Sequence, residues 1–241
     1  MSFLLKGDCL EEMKKIERNY VDMVLVDLPY GQTSCDWDVK IDLVAMWKEL
    51  ERICKSNCNY IFFTTTKFGV ELINSRPSWF RYDLVWEKSV AVGHLSANKM
   101  PMRSHEMIYV FGKPSAKGKI YNPQKTPGNP YKKKAHINNT KDVYGQIGQP
   151  ELENKSGDRH PRSVQKFSQD CVFKKTFHRT QKPINICEWL IKTYSNEGDV
   201  VMDFTMGSGS TIISSINTNR KYIGIEMNDE IFDIAMKRIN I

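Results

Sequence analysis

The sequence predicts a doubly wound, mostly parallel α/β sheet that is interrupted by a basic, irregular insertion. Three observations lead to this prediction. Short apolar runs have the composition of buried strands, stretches with helical spacing lie between them, and residues 113–177 follow neither pattern. Strands that alternate with helices form parallel sheets with helices on both faces, so we expect the runs and the helical stretches to build one domain.

Strands are predicted where β-branched and aromatic residues form short, nearly continuous apolar runs. Such runs lie at residues 23–27, 60–64, 200–204 and 222–226, and a further strand is predicted at 107–111. Continuous rather than alternating apolar character is typical of strands buried on both faces of a sheet. The four runs therefore predict parallel strands.

Helices are predicted where apolar residues recur at intervals of three and four. One helix follows Asp42, a residue type that caps helix N-termini, and another has Pro183 in its first turn and Gly198 after its end. A third helix begins near Ser210, and a last one covers about residues 229–238. Each of these helices follows or precedes a predicted strand, as a doubly wound domain requires.

The middle of the chain is predicted to be a separate insertion. Pro, Gly, Asn, Gln and Lys dominate residues 113–177, so the α/β domain is expected to comprise residues 1–112 and 178–241. Residues 113–182 contain 16 Lys and Arg against five Asp and Glu, a balance of +11 in a chain whose net charge is +7. Such a concentration of positive charge predicts a polyanionic partner, most simply a nucleic acid.

The composition is that of an ordinary globular protein, with 40% hydrophobic and 26% charged residues in 241. No apolar run approaches the roughly 18 residues that a membrane span needs, which predicts no membrane partner. The N-terminal segment turns polar at once, which predicts no secretory signal. Six cysteines without a disulfide framework predict reduced thiols and a cytoplasmic location.

Acidic residues end three of the predicted strands, namely Asp27, Asp203 and Glu226. Ligands of open parallel sheets bind beyond the carboxyl ends of the strands. Gly207 and Gly209 follow Asp203 and allow a ligand to approach the backbone closely. Glu226 follows Asp203 by 23 residues, about the spacing at which an acid binds the hydroxyls of a ribose. The complete GxGxxG pattern and a Walker lysine, which would bind phosphates, are absent. These features predict an adenosine-type ligand without a phosphate group.

Four motifs together resemble the β-class amino-methylating DNA methyltransferases. DLPY at 27–30 resembles the catalytic motif D/N/S-P-P-Y/F/W, and DFTMGSG at 203–209, followed by YIGIE, resembles the glycine motif. HRTQKP at 178–183 resembles the H-P-T-Q-K-P motif, and KGDCLEEMKKI at 6–16 resembles the N-terminal G-D motif. The order of catalytic motif, basic insertion and H-P-T-Q-K-P motif is that of the β class. Leu28 and Arg179 depart from the family by replacing prolines.

The resemblance implies a Rossmann-like methyltransferase sheet, S-adenosylmethionine as the cofactor, and roles for the residues that match the motifs. Asp8 would contact the adenine of the cofactor, Glu226 its ribose, and the turn after Asp203 its methionine part. The implied cofactor-binding residues are Asp8, Cys9, Gln181, Lys182, Asp203, Phe204, Gly207, Ser208, Gly209, Ser210, Thr211, Glu226 and Met227.

The implied catalytic residues are Asp27, Pro29 and Tyr30, and their chemistry suits methyl transfer to an exocyclic amine. The amine lone pair is delocalised into the base, so two acceptors, the Asp27 carboxylate and the Pro29 carbonyl, would hold both N–H bonds and orient it. Flipping a base out of duplex DNA costs a few kcal/mol, and stacking on Tyr30 would return about 1–3 kcal/mol. Asp at the first motif position resembles adenine-N6 enzymes, although cytosine N4 stays open.

Two segments are predicted to contact double-stranded DNA. Basic side chains would neutralise phosphates, and arginines would reach either phosphates or guanine edges. The candidates in residues 88–113 are Asn98, Lys99, Arg103, Ser104 and His105, and those in the insertion are Lys132, Lys133, Lys134, Arg159 and Arg162.

Other functions are left open by the sequence. RNA or a protein amide could replace DNA as the acceptor, and a noncatalytic nucleic-acid binder is an alternative of another class; the basic insertion and the motif order favour DNA. No metal site is predicted, because Cys54 and Cys58 have no second cysteine pair nearby. The family further implies a bacterial or phage origin and allows a homodimer.

Overall fold

The structure is a computed structural model that describes residues 2–31, 39–114, 116–138, 147–149, 151–168 and 181–239. The chain divides into two compact units, Met1–Asn122 with Ser163–Ile241, and Pro123–Arg162. The second unit is shorter than the predicted insertion of residues 113–177, because residues 113–122 and those from Ser163 onward belong to the larger unit. The predicted motif residues His178, Arg179 and Thr180 lie outside the described residues.

In chain order, the described helices and strands are β1 (Phe3–Lys6), α1 (Cys9–Met13), β2 (Val21–Asp27), α2 (Leu43–Ile53), β3 (Cys54–Thr64), α3 (Thr66–Ser75), β4 (Phe80–Val92), β5 (Arg103–Phe111), β6 (Tyr131–Lys133), β7 (His136–Asn138), β8 (Ile147–Gln149), β9 (Leu152–Asn154), β10 (Val164–Phe167), α4 (Ile184–Tyr194), β11 (Val200–Asp203), α5 (Ser210–Asn217), β12 (Lys221–Glu226) and α6 (Asp229–Ile239).

The larger unit is built on one eight-stranded sheet in the order β1-β12-β11-β2-β3-β5-β4-β10. Neighbouring strands pair in parallel except at β5, which runs antiparallel to both β3 and β4. The predicted mostly parallel α/β fold is therefore confirmed. The parallel strands β1, β12, β11, β2 and β3 bring their carboxyl ends to one edge of the sheet, where ligands of such folds bind.

The sheet is buried on both faces, which explains the continuous apolar runs. In β2, Val24 and Val26 pack in one core cluster, while Met23 and Leu25 pack in another. This alternation follows from the two-residue period of a strand. Helix α2 covers the first face and helix α4 covers the second. The two layers of helices make the central strands inaccessible and fix the turns at their ends.

The first face has an aromatic centre at Trp47, which is 2% exposed. Its ring contacts those of Tyr60, Phe62 and Phe111 at centroid distances of 6.0, 5.6 and 5.5 Å. Aromatic side chains bury large areas, so these contacts stabilise the sheet beneath the carboxyl ends of β2 and β3. Helix α2 begins where predicted, because the Asp42 carboxylate accepts a hydrogen bond from the Val44 N–H at 2.8 Å.

Several predicted elements differ from the observed ones. Residues 80–92 form β4, for which the sequence analysis predicts no strand, and β10 extends the main sheet. Pro183 is the N-cap of α4 rather than a residue of its first turn. Among the described residues no helix is long and apolar enough to cross a membrane.

The smaller unit contains two short antiparallel pairs, β6 with β9 and β7 with β8. An isolated bridge joins Thr126 and Arg159. The Arg159 guanidinium lies over the Tyr131 ring and donates a hydrogen bond to the Asn129 carbonyl at 2.6 Å. Arg159 thus stabilises the loops of this unit, a role that the sequence did not indicate.

Candidate active site

One cavity lies at the carboxyl edge of the sheet in the larger unit and has a volume of about 630 Å³. It joins the turn after β2, the turn after β11 and the end of β12 in a single space. The predicted residues that line it are Asp8, Cys9, Asp27, Pro29, Tyr30, Gln181, Lys182, Asp203, Phe204, Gly207, Ser208, Ser210, Thr211, Glu226 and Met227.

The turn after β11 is shaped by two glycines in left-handed conformations. Gly207 has φ +53° and Gly209 has φ +84°, a backbone region that residues other than glycine rarely adopt. Gly209 is the N-cap of α5 and does not line the cavity. A Cβ added at Gly207 would meet nothing within 4 Å. The requirement for glycine at 207 therefore arises from the backbone conformation rather than from lack of space.

Glu226 holds this turn from the end of the neighbouring strand. Its Oε2 accepts a hydrogen bond from the Gly207 N–H at 3.0 Å, and its Oε1 accepts one from the Asn228 N–H at 2.8 Å. The Glu226 carbonyl accepts a hydrogen bond from the Gly7 N–H at 3.0 Å. The carboxylate is therefore fixed at the cavity wall, with lone pairs left for further donors.

Asp8 and Cys9 form the part of the wall contributed by the N-terminal segment. Asp8 is the N-cap of α1, where its Oδ1 accepts hydrogen bonds from the N–H groups of Leu10 and Glu11 at 2.9 and 3.1 Å. Asp8 therefore has a structural role at this position, in addition to lining the cavity. The neighbouring Cys9 thiol is buried, which raises its pKa to about 12, so it is protonated at neutral pH.

The environment of Asp203 strongly perturbs the pKa of its carboxyl group. Burial, together with the nearby carboxylates of Asp27 and Glu226, raises its pKa to about 7, while hydrogen bonds from Thr211 and Thr205 oppose the shift. The Thr205 N–H lies 3.1 Å from Asp203 Oδ1. A carboxyl group with this pKa changes charge near neutral pH and favours a cation as its neighbour.

Besides Glu106 Oε2, two buried polar atoms of the cavity have no hydrogen-bond partner among the described residues, namely Gln181 Oε1 and Ser210 Oγ. Buried polar groups are almost always hydrogen-bonded, so such atoms indicate that a polar ligand completes the site. The acids, the glycine turn and these two atoms fit an adenosine derivative that carries positive charge.

The turn after β2 places a carboxylate and an aromatic ring in the same cavity. The Tyr30 hydroxyl donates a hydrogen bond to Asp27 Oδ1, and the Lys182 ammonium donates one to Asp27 Oδ2. The Tyr30 ring packs against Phe68 with a centroid distance of 5.2 Å. The Thr205 hydroxyl donates a hydrogen bond to the Asp27 carbonyl at 3.0 Å, which ties this turn to the turn after β11.

Lys182 was predicted among the cofactor-binding residues, but in the structure its ammonium pairs with Asp27 and lies 3.5 Å from Glu106 Oε2. Burial alone would lower the pKa of Lys182, yet the carboxylates of Asp27 and Glu106 raise it above its usual value. Glu106 was missed by the sequence analysis. The two-residue period of β5 could have indicated it. Glu106 lies on the same face of the strand as Ile108 and Val110, which pack in the second core cluster.

The predicted DNA-contacting residues lie apart in sequence and differ in exposure. Asn98, Lys99, Ser104 and His105 are exposed on the segment that joins β4 to β5 or at its end, and Arg103 is partly exposed. In the smaller unit, Lys132, Lys133, Lys134 and Arg162 are exposed, whereas Arg159 is partly buried and hydrogen-bonded. Among the described residues no His, Cys, Asp and Glu cluster could hold a metal ion.

Known proteins resemble this chain in sequence along nearly its whole length. The profile of a family described as DNA methylase, N6_N4_Mtase, matches residues 21–237. The type II methyltransferase M.HinfI of Haemophilus influenzae is 26% identical over 274 residues, which cover 99% of this chain and 68% of the relative. The DNA adenine methyltransferase YhdJ of Escherichia coli K12 is 26% identical over 255 residues, which cover 99% and 82%.

Solved structures share the fold. The crystal structure of an M1.HpyAVI–SAM complex has a TM-score of 0.70 and 20% identity, with full coverage of both chains. The PvuII DNA methyltransferase, which is cytosine-N4-specific, has a TM-score of 0.69 and 14% identity, and the match covers 98% of this chain and 85% of the other.

The sheet is that of the Rossmann-like methyltransferases. Since the family profile covers most of its length, the chain belongs to the N6/N4 DNA methylase family, with S-adenosylmethionine as its cofactor. The resemblance stated from four motifs is thereby confirmed.

Proposed function

We propose that this enzyme methylates the N6 atom of an adenine that has been flipped out of duplex DNA. The observation that supports this most directly is the position of the Asp27 carboxylate, in the same cavity as the turn at Gly207. Asp at the first position of the DLPY motif is typical of adenine-N6 enzymes, and one relative of similar identity, YhdJ, is named a DNA adenine methyltransferase.

Asp27 and Pro29 act as the acceptors for the target amine. The Asp27 carboxylate and the Pro29 carbonyl hold the two N–H bonds, so the nitrogen lone pair points away from both and towards the rest of the cavity. Both acceptors also stabilise the positive charge that develops on the nitrogen. Tyr30 supplies the face on which the base stacks, and the hydrogen bond from its hydroxyl to Asp27 keeps the ring beside the carboxylate.

The cofactor, when bound, supplies an electrophilic methyl group on a sulfonium. We assign its adenine to Asp8 and Cys9 and its ribose to Glu226, whose carboxylate retains acceptor capacity for both hydroxyls. The methionine part is assigned to the turn after β11, near Gln181 and Ser210, whose buried oxygens require partners. The residues proposed for this part are Asp203, Phe204, Gly207, Ser208, Ser210 and Thr211, with Gly209 shaping the turn behind them and Met227 near the adenosine.

The affinity for S-adenosylmethionine is expected to rise with pH through about 7. The cofactor carries positive charge, so it binds best when the Asp203 carboxyl group is ionised. Below the Asp203 pKa of about 7 this carboxyl group is protonated and must lose its proton before the cofactor binds tightly. We expect binding at pH 6 to be about tenfold weaker than at pH 8. Isothermal titration calorimetry at the two pH values measures this difference. Asp203→Asn is the control that should remove it, and equal affinities for the unmodified chain would contradict the assignment.

The exposed basic residues are proposed to contact DNA phosphates, with Lys99 and Arg103 in the larger unit and Lys132 to Lys134 in the smaller one. Each phosphate contact releases a counterion, so the logarithm of the binding constant falls linearly with the logarithm of salt concentration. Lys132→Ala with Lys133→Ala is expected to reduce that slope by about 2. Fluorescence anisotropy with duplex DNA measures it, and Lys67→Ala serves as an exposed control. An unchanged slope would remove these lysines from the interface.

The base assignment is tested by analysing the nucleosides of methylated DNA. Duplex DNA is incubated with the enzyme and S-adenosylmethionine, digested, and examined by mass spectrometry. We expect N6-methyladenine. N4-methylcytosine alone would assign the enzyme to the cytosine-N4 class, to which the PvuII enzyme belongs. Parallel reactions with RNA and with protein test the remaining acceptors.

We further propose that the enzyme acts in the bacterial cytoplasm, where its DNA substrate lies, or in a phage-infected bacterium. A homodimer is the oligomeric state suggested by the β class. Light scattering of the purified chain tests the dimer, and a monomer at working concentrations would contradict it.

A further inference from the structure

Four charged side chains of alternating sign form a continuous group along the cavity wall. Lys88 pairs with Glu106, Glu106 lies beside Lys182, and Lys182 pairs with Asp27. The side chains are 9%, 22%, 14% and 28% exposed for Lys88, Glu106, Lys182 and Asp27, so all four are largely screened from water. Two carboxylates and two ammonium groups leave the group neutral. This charge balance stabilises ions that burial would otherwise disfavour.

The Asp27 end of the group is in conflict with the proposed function, on which this inference rests. Both carboxylate oxygens already accept hydrogen bonds, from Tyr30 and from Lys182. A target amine must form its own hydrogen bond to Asp27, and it gains positive charge during methyl transfer. The carboxylate keeps lone pairs for a further donor, as Glu226 does, but an ammonium held directly on it partly neutralises its charge and repels the positive charge that develops on the amine.

The Glu106 end offers the ammonium another position. Glu106 Oε1 accepts a hydrogen bond from Lys88, whereas Oε2 is buried and accepts none from the described residues. Lys182 Nζ lies 3.5 Å from Oε2, and a charge-assisted hydrogen bond needs about 2.8 Å, so a shift of about 0.7 Å forms that bond and lengthens the contact with Asp27. The ammonium also lies over the Phe63 ring at 5.3 Å from its centroid, which favours a cation at either position.

We propose that Glu106 is a positioning residue that draws the Lys182 ammonium towards its Oε2 when the target base binds, and thereby weakens the hold of the ammonium on the Asp27 carboxylate so that the exocyclic amine can bind there. Before the base arrives, the hydrogen bond from Lys182 holds the Asp27 carboxylate in place. Once the amine occupies Asp27, the ammonium moves to Oε2 and the group of four remains neutral. The carboxylates of Asp27 and Glu106 raise the pKa of Lys182, so the lysine is protonated at neutral pH.

The test measures single-turnover transfer of a labelled methyl group to DNA. Glu106→Gln removes the charge that attracts the ammonium, and we expect the rate to fall by about 10- to 100-fold, the size of one charge-assisted hydrogen bond. The affinities for DNA and for S-adenosylmethionine should change by less than about threefold, because Glu106 is assigned no contact with either. Glu87→Gln is the matched control: this neighbouring glutamate pairs with Lys166 at 2.9 Å and does not line the cavity.

The Lys182→Gln background distinguishes the proposed role of Glu106 from a purely structural one. Without the Lys182 ammonium, Glu106 Oε2 has no cation to accept and Glu106 keeps only its pairing with Lys88, so Glu106→Gln should then cost less than about threefold. An equal cost in both backgrounds would overturn the proposal, as would an unchanged rate in Glu106→Gln alone. Complete loss of transfer in Lys182→Gln would also overturn it, because the ammonium would then be needed on Asp27. The assay counts methyl transfer to any base, so an error in the adenine assignment would appear only in the nucleoside analysis.

Discussion

Replacement of Asp27 by alanine is expected to lower the rate of methyl transfer on the order of 10³-fold, as loss of a preorganised group at a developing charge does in other enzymes. The variant lacks the carboxylate that orients the amine, and the Tyr30 hydroxyl and the Lys182 ammonium lose their shared acceptor. The affinity for S-adenosylmethionine should change by less than about threefold, because the cofactor is assigned to other residues of the cavity.

The rate is measured by single-turnover transfer of a labelled methyl group, and the affinity by calorimetry. Asp229→Asn provides a matched control, since Asp229 is exposed and pairs with Lys6 at 3.1 Å outside the cavity wall. Asp27→Asn keeps the shape and one acceptor oxygen, so its rate should lie between those of the alanine variant and the unmodified enzyme. Turnover of Asp27→Ala at the original rate would exclude Asp27 from the mechanism.

Replacement of Glu226 by alanine is expected to weaken S-adenosylmethionine binding by about 100-fold. The carboxylate is proposed to accept hydrogen bonds from the ribose hydroxyls, and each hydrogen bond to a charged group contributes about 1.5–3 kcal/mol. The same variant leaves the N–H groups of Gly207 and Asn228 without their acceptor, which loosens the glycine turn. The rate at saturating cofactor should fall much less than the affinity, because Glu226 does not contact the target amine.

Glu226→Gln separates the two effects. Glutamine keeps one oxygen that can accept from Gly207, so it preserves more of the turn but loses the charge, and we expect an intermediate affinity. Titration calorimetry gives the dissociation constants, and initial rates over a range of cofactor concentrations give KM and kcat. If Glu226→Ala bound the cofactor as tightly as the unmodified chain, the ribose would have to be assigned elsewhere.

The central sheet was predictable because its strands are buried on both faces, which leaves a continuous apolar run in the sequence. β2 and β12 were found for this reason. β4 was missed because residues 80–92 lie towards the sheet edge and alternate buried and exposed positions, with charged residues in the run. β10 was also missed, since it has a polar sequence and joins the sheet only by pairing with β4.

The candidate site was predictable where short motifs fix a backbone turn, as at Asp27 and Gly207. The partners of those residues were not predictable. Lys182 and Glu106 are 76 positions apart in the sequence, and only the packing of β5 beside β3 and the approach of the segment before α4 bring both to the cavity. Long-range ion pairs of this kind leave no periodic signal, apart from the parity of Glu106 within its strand.

The hydrogen bond from the Thr205 hydroxyl to the Asp27 carbonyl makes the rate of methyl transfer depend on the packing of the central sheet. It connects the ends of β11 and β2, which are paired at the centre of the sheet. The spacing between the two reacting partners is thus set during folding, before either arrives. Core substitutions that let β2 and β11 slide against each other should slow turnover even when every group that touches DNA or cofactor is unaltered.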